Sequence, residues 1–197
     1  MRRDLKASIV AAVVFTVLFG LVYPLATTGV AQLVFNDKAD GSLVRRGGET
    51  VGSKLIAQSF KGNPEYFQPR PSVTGYSGNV TYFNNLGPND KELSHLFRML
   101  LDRYVALEEP YTPGLEAGDV PVDAVTTSAS GVDPHISVAN ARIQANRVAG
   151  VRGIDPDRVN ELIDEHTAGR ALGVLGEAGV NVFELNLALD DEKEATS

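Results

Sequence analysis

The chain has 197 residues, a net charge of −7, 43% hydrophobic residues and 22% charged ones. That balance excludes both a disordered chain and a polytopic membrane protein, and the length suits one ordinary domain plus one further element. Cysteine is absent, which excludes disulfides, thiolate metal sites and cysteine nucleophiles.

The first element is the apolar run Ala7 to Ala26, and no charged residue occurs from Ala7 to Asn36. Twenty helical residues span about 30 Å, the hydrocarbon thickness of a bilayer. Arg2, Arg3 and Lys6 precede the run, so the positive-inside rule places residues 1–6 in the cytoplasm and the body outside. Tyr23 stands where an aromatic anchor meets the far headgroups. Gly29 and Ala31 have the small-x-small form of a signal cleavage site, but the apolar run exceeds the usual signal length and favours an anchor. Ala12, Thr16 and Gly20 are spaced by four, a stripe that lets a second membrane helix approach closely. Three of the 18 basic and one of the 25 acidic residues precede the run, so the remainder carries −9. Such a body is poorly suited to nucleic acid or anionic lipid.

Residues 27–40 read as a linker, 41–190 as the exported domain and 191–197 as an acidic tail. From Gly41 to Gly87, Gly, Pro, Asn and Ser predict turns around short strands, with apolar pieces at Leu55-Ile56 and Tyr66-Phe67. The first body helix starts near Asn89, with Glu92 as a capping-box partner. Leu93, Leu96, Phe97, Leu100, Leu101, Tyr104 and Leu107 form its apolar stripe, and Pro110 ends it. Val120, Val122 and Val125 predict a strand. A second helix runs from Ser137 to Val148, with Val138, Ala141, Ala145 and Val148 inward. A third opens at Asp155-Pro156 and buries Val159, Leu162 and Ile163. Phe183, Leu185, Leu187 and Leu189 alternate with Glu184, Asn186 and Ala188, the pattern of a half-buried strand. Helices and strands without regular alternation predict an α+β extracytoplasmic domain with one N-terminal transmembrane helix.

Candidate chemistry is sparse. Gly47 and Gly52 precede Ser53-Lys54, but a Walker A loop needs Lys before the hydroxyl residue, so a surface turn explains the motif better. Gly173, Gly176 and Gly179 are spaced by three and read as a flexible connector, since they follow a helix rather than open one. Ser128, Ser130, Asp133 and His135 invite a serine-hydrolase reading built on Ser130 or Ser128 with His135. The nucleophile elbow G-x-S-x-G is missing, and Asp133-Pro134 with Ser137 resembles a turn leading into a helix cap. His166 sits at a helix end, where it suits the dipole. With three histidines and no ligand spacing, no metal site is expected. Tyr66, Phe67, Arg70, Tyr76, Tyr82 and Phe83 form either an exposed aromatic patch or packing against the first body helix. The residues alone describe an anchored, exported, acidic accessory domain without a catalytic site. A stand-alone, membrane-anchored binding protein is a second reading.

VYPLATTGVAQLVF (Val22–Phe35), Gly41-Ser42-Leu43, GSKLIAQSF (Gly52–Phe60) and YFQPRPS (Tyr66–Ser72) resemble the C subunit of the bacterial potassium-transporting Kdp P-type ATPase. The likeness continues through NLGPND (Asn85–Asp90), VPVDAVTTSASGVDPHIS (Val120–Ser137) and VNVFELNLALD (Val180–Asp190), in order along nearly the whole chain. It implies a non-catalytic accessory subunit of an ATP-driven, high-affinity potassium importer. The implied partners are a potassium-selective channel-like subunit, a phosphorylated ATPase subunit and a very small membrane subunit. The resemblance also implies roles in assembly and in apparent ATP affinity, with potassium handled by a partner. An external body does not meet cytoplasmic ATP, so coupling through the membrane helix or the partners is the available route. Gln58, in GSKLIAQSF, and Arg70 and Ser72, in YFQPRPS, are the candidate inter-subunit contacts. YSGNVTYFN, residues 76–84, departs from the Gly/Ser/Asn-rich loop expected there.

Overall fold

A computed structural model describes residues 1–60, 62–79 and 85–195. The chain divides into two units, Met1–Ser53 and the residues from Lys54 on. In the first, one helix runs from Arg2 to Val34 without burying a residue. It comprises α1 (Arg2–Val17), a π segment (Leu18–Val22) and α2 (Tyr23–Val34). Thirty-three residues rise about 50 Å, so the helix outlasts the hydrocarbon and continues past Ala26. The π segment has a local cause: Pro24 has no N–H to donate to the preceding turn and its ring crowds the carbonyl four residues back. The Tyr23 N–H donates five residues back, to the Leu18 carbonyl. The Thr27 hydroxyl donates to the carbonyls of Tyr23 (2.9 Å) and Pro24 (3.0 Å), which satisfies it within its own helix.

A short α3 (Asn36–Ala39) precedes an antiparallel hairpin of β1 (Leu43–Arg46) and β2 (Glu49–Ser53). Gly47 and Gly48 make its two-residue turn with φ of 58° and 86°, a conformation that glycine adopts without steric cost. The Walker-like spacing therefore falls on a hairpin, as a surface turn.

The body contains α4 (Lys91–Glu108), a 3₁₀ turn (Ala117–Asp119), α5 (Val122–Val125), β3 (His135–Ser137), α6 (Val138–Arg152) and α7 (Pro156–Glu165). It closes with β4 (Thr167–Ala168), β5 (Gly179–Asn181) and α8 (Val182–Ala195). The three strands form one antiparallel sheet in the order β3-β5-β4, in which Ile136 pairs with Val180. Helices packed on a small antiparallel sheet make an α+β domain, which follows one N-terminal apolar helix in the sequence. The core joins Phe67, Ile136, Ala141, Ala145, Val148, Val159, Leu162, Ile163, Val180, Leu185 and Leu189. Full burial of each large aliphatic side chain stabilises the fold by about 1.5–3 kcal/mol.

Caps fix the helix starts. Asp90 accepts from the Glu92 N–H at 2.8 Å, Ser137 from Asn140 at 3.1 Å and Asp155 from Asp157 at 2.8 Å. The α7 stripe is buried as its spacing predicts. Most of the α4 stripe is half-buried; Tyr104 and Glu108 alone on this helix are buried.

Two predicted strands are helices. Phe183–Leu189 lies in α8, where Val182, Leu185, Asn186 and Leu189 are buried at i, i+3, i+4 and i+7. The polar Asn186 interrupts that stripe in sequence and leaves the alternation as the visible pattern. Val120 and Val125 belong to the 3₁₀ turn and α5 region, while Val122 is exposed. Pro121 N-caps α5, and its fixed φ and missing N–H suit a helix start.

Candidate functional site

Residues 64–68 form no helix or strand, yet Phe67 is entirely buried. An irregular buried segment must satisfy its backbone through side chains. Here α6 and α8 supply them. Asn186 accepts from the Phe67 N–H and donates to its carbonyl, both at 2.9 Å. Gln144 does the same for Gln68, at 2.7 and 3.1 Å. Arg147 donates to the carbonyls of Pro64 (2.5 Å) and Tyr66 (3.0 Å). Arg152 donates to the Glu65 carbonyl (2.6 Å) and lies 4.6 Å over the Tyr66 ring.

These groups belong to one polar spine. Arg147 Nε faces both oxygens of Glu108, at 3.0 and 3.1 Å, and both side chains are 0% exposed. Burial pushes the Glu108 carboxyl up, against the opposing pull of Arg147. Arg147 also donates to Gln144, Gln144 to Asn140, and Asn140 to Asp123. Tyr104 donates to Asn140 at 2.9 Å, and burial raises its phenol. Asp123 completes the spine by accepting from the Ser137 N–H and hydroxyl, both at 2.8 Å. Pattern reading missed these residues because it assigned α6 an apolar stripe only. Their spacing carried the signal: Asn140, Gln144 and Arg147 lie at i, i+4 and i+7, one helix face.

The motif pieces of the sequence converge beside this spine. The Ala57 N–H donates to Val132 at 2.9 Å, which sets Gln58 next to that loop. Arg70 reaches Asp133 (3.4 Å), Thr126 (3.3 Å) and the Thr127 carbonyl (3.4 Å). Its Nε is buried without a hydrogen-bond partner among the described residues. The Ser72 hydroxyl donates to the Gly131 carbonyl at 2.6 Å and accepts from the Thr74 and Tyr76 N–H groups. Gly131 has φ +70°, and a Cβ there would fall 2.6 Å from Thr74 Oγ1. Only glycine fits that position. Gln58, Arg70 and Ser72 therefore border one loop, 126–133, with Ser72 spent on holding it. Ala12, Thr16 and Gly20 are all exposed, with Gly20 inside the π segment.

Acyl-transfer chemistry has no support here. Ser128 is buried, and Ser130 Oγ accepts from the Val132 N–H. Asp133 accepts from the His135 N–H and lies 3.6 Å from its ring. Among the described residues no serine hydroxyl bonds His135. His166 ends α7 with its ring against the Leu162 carbonyl. The described residues hold no group of three His, Asp or Glu able to bind a metal. Of the aromatic set, Phe67 is core and Tyr66 packs on Phe60 with ring centroids 5.2 Å apart. Tyr82 and Phe83 lie outside the described residues. Tyr76 is half-buried; its phenol donates to the Arg70 carbonyl, and burial pushes it up to about 12 despite Arg103. A cleft of about 230 Å³, lined by Phe60, Gln68, Tyr76, Leu100, Arg103 and Tyr104, opens beside the spine. That is below the ~300–1,000 Å³ of drug-sized ligand sites.

A family model described as "KdpC: K+-transporting ATPase, c chain" matches residues 5–191. The chain is 49% identical over 193 residues to a protein of Rhodospirillum rubrum, covering 97% of each. It is 47% identical over 192 residues to one of Mycobacterium tuberculosis, covering 96% of this chain and 99% of the relative. It is 44% identical over 192 residues to one of Koribacter versatilis, covering 96% and 95%. All three relatives are named potassium-transporting ATPase KdpC subunit.

Proposed function

This chain belongs to the KdpC family, the c chain of the K+-transporting ATPase, and from that premise we propose how it is placed and whom it touches. It is an accessory, non-catalytic subunit of the Kdp complex and carries one N-terminal apolar helix. In our reading the N-terminus is cytoplasmic and the α+β body extracytoplasmic. The observation that carries this is the helix Arg2–Val34, which buries no residue, with Arg2, Arg3 and Lys6 at its start and an acidic remainder after it.

The partners in this reading are the potassium-selective channel-like subunit, the phosphorylated ATPase subunit and the small membrane subunit. Ala12, Thr16 and Gly20 give a partner helix a close approach. Gln58 and Arg70 offer contacts from the body, and Ser72 acts through the loop it holds. Potassium is handled by the partners. Any effect on apparent ATP affinity passes through the membrane helix or the partner subunits, because the body and the nucleotide lie on opposite sides.

The chain has no native cysteine, so single introduced thiols report topology cleanly. Ala117 is exposed on the 3₁₀ turn of the body. Ala117→Cys should react with a membrane-impermeant maleimide added from outside, and Arg3→Cys should react only after the membrane is opened. The reverse pattern would overturn the orientation.

A further inference from the structure

Where the apolar helix ends, the chain forms a braced collar. The Gln32 amide, on the last turn of α2, donates to the Asp40 carboxylate at 2.9 Å and accepts from the Asn36 amide at 3.0 Å. The Ser42 N–H donates to the Asp37 carbonyl at 2.9 Å, and the Ser53 hydroxyl to the Gly41 carbonyl at 2.7 Å. Ser42 and Ser53 are both buried. These bonds run from the helix end through α3 to both strands of the β1–β2 hairpin, so the hairpin does not swing on a free linker. Length sets the level of the collar. From Lys6 to Val34 the helix rises about 42 Å, and a bilayer counted with both headgroup layers is about 40–45 Å thick. With Lys6 among the headgroups of one face, Val34 and Phe35 reach those of the other. Leu33 is 87% exposed and Phe35 56%, and Asp37 is the first charged residue after Lys6.

The chemistry of the collar suits that layer. β1 exposes Leu43 and Arg45 and half-buries the alternate Val44 and Arg46. Lys38, on α3, is exposed as well. Among the described residues the side chains of Lys38 and Arg45 make no hydrogen bond or ion pair. Residues 36–53 hold three basic residues (Lys38, Arg45 and Arg46) and three acidic ones (Asp37, Asp40 and Glu49), and Asp40 is taken up by Gln32. The acidity lies wholly from Lys54 on, where 12 basic and 21 acidic residues leave −9, so the repulsion expected between the body and anionic lipid does not extend to the collar. An aromatic ring, an aliphatic side chain and unpaired cations at the end of a spanning helix make a headgroup anchor. A protein partner fits less well, because protein interfaces are depleted in lysine.

We propose that residues 35–45 lie in the phospholipid headgroup layer at the α2 end of the membrane helix, with Lys38 and Arg45 on lipid phosphates and Phe35 and Leu43 seated among the headgroups. This rests on the membrane-spanning reading of the helix and adds a second, polar contact with the same bilayer. The contact fixes the depth of the helix. The hydrogen bonds of the collar supply preorganisation, so little ordering entropy is lost when the lipids settle on it.

The chain has no tryptophan, so a single introduced one reports depth. Full chain carrying Leu43→Trp or Phe19→Trp is placed in vesicles of phosphatidylcholine and phosphatidylglycerol, with a nitroxide either on the lipid headgroup or near the acyl-chain end. Tryptophan at position 43 should be quenched at least twofold more by the headgroup nitroxide, and tryptophan at position 19 more by the chain-end one. If position 19 is quenched from the chain end but position 43 by neither label, the collar proposal falls and the spanning helix stands. If position 19 is not quenched from the chain end, the spanning reading falls too. Each basic charge strengthens attachment to an anionic surface about fivefold. Lys38→Glu with Arg45→Glu should therefore cut the headgroup quenching of position 43 at least threefold, and unchanged quenching would overturn the phosphate contacts. The same measurement on the chain assembled with its complex should keep the headgroup quenching; its loss there would show that another subunit covers the collar and would also overturn the proposal.

Discussion

Removing the Arg147 guanidinium tests the account of how the body holds its buried loop. In Arg147→Met the stem is kept and three connections are lost: the Glu108 pair, the Gln144 bond and the bonds to the Pro64 and Tyr66 carbonyls. Breaking a fully buried ion pair costs about 3–5 kcal/mol, because the surviving charge stays buried. The Pro64 carbonyl would cost about 1–3 kcal/mol if it stayed dry, while the Tyr66 carbonyl keeps its bond from Gln68 Nε2 at 3.1 Å. Partial relaxation makes the sum smaller than its parts, so about 4–6 kcal/mol is expected. Against a stability of about 5–15 kcal/mol that leaves a marginal body, and the melting temperature should fall by roughly 15 °C. The assay is thermal unfolding of the full chain in detergent, followed by tyrosine near-ultraviolet circular dichroism. Acidity gives a second reading. Burial raises the folded-state pKa of Glu108 above its ordinary 4.5. The stability this contributes is fully present below the unfolded value and is lost as pH rises through the folded one. With Arg147 gone nothing offsets the burial, so the deficit should be smallest near pH 4 and widen toward pH 7. A loss under about 1 kcal/mol at pH 7, or a deficit independent of pH, would refute the reasoning.

Gly131→Ala should destabilise the body by about 1–3 kcal/mol, because it combines a strained, left-handed φ with a clash at Thr74; denaturant unfolding measures it, and a neutral result would contradict the close packing. Arg70→Ala should loosen loop 126–133, read as faster amide hydrogen exchange at Thr127 and Asp133, and should reduce co-isolation of partner subunits; unchanged exchange would show that Arg70 does not brace the loop. Neutralising exposed Asp and Glu of the body should weaken potassium uptake mainly at low ionic strength, since a negative field concentrates cations only where salt does not screen it. Equal uptake at every ionic strength would remove that idea.

The helices with caps were legible. Ser137 and Asp155 each precede a helix whose inward residues follow the 3.6 period, and the structure buries those residues apart from the half-buried Val138. The α8 helix was not, because Asn186 occupies a core position to satisfy the Phe67 backbone and so broke the apolar stripe. A cap signal was present there: Asn181 accepts from the Glu184 N–H at 3.2 Å, three residues on. The same cause hid the spine on α6. Asn140, Gln144 and Arg147 lie off the apolar stripe that predicts this helix, while in the fold they are buried and belong to the spine behind the irregular segment 64–68. Hydrophobic pattern counts polar residues as outside, so it fails wherever a buried loop needs side chains to complete its hydrogen bonds. The convergence of Gln58, Arg70 and Ser72 on loop 126–133 depends on contacts more than fifty residues apart in sequence, which no local pattern records. The resemblance pointed to those stretches, and the structure gives them a common neighbour.

The central claim is that an uncleaved, membrane-anchored chain works as part of the potassium-transporting complex. Detergent isolation of the chain from its own membranes, grown at low potassium, with intact masses of everything recovered, tests it most directly. The account predicts the full-length mass, with the helix still attached, together with the channel-like and ATPase subunits. A chain cut after Ala31 and recovered alone would contradict it.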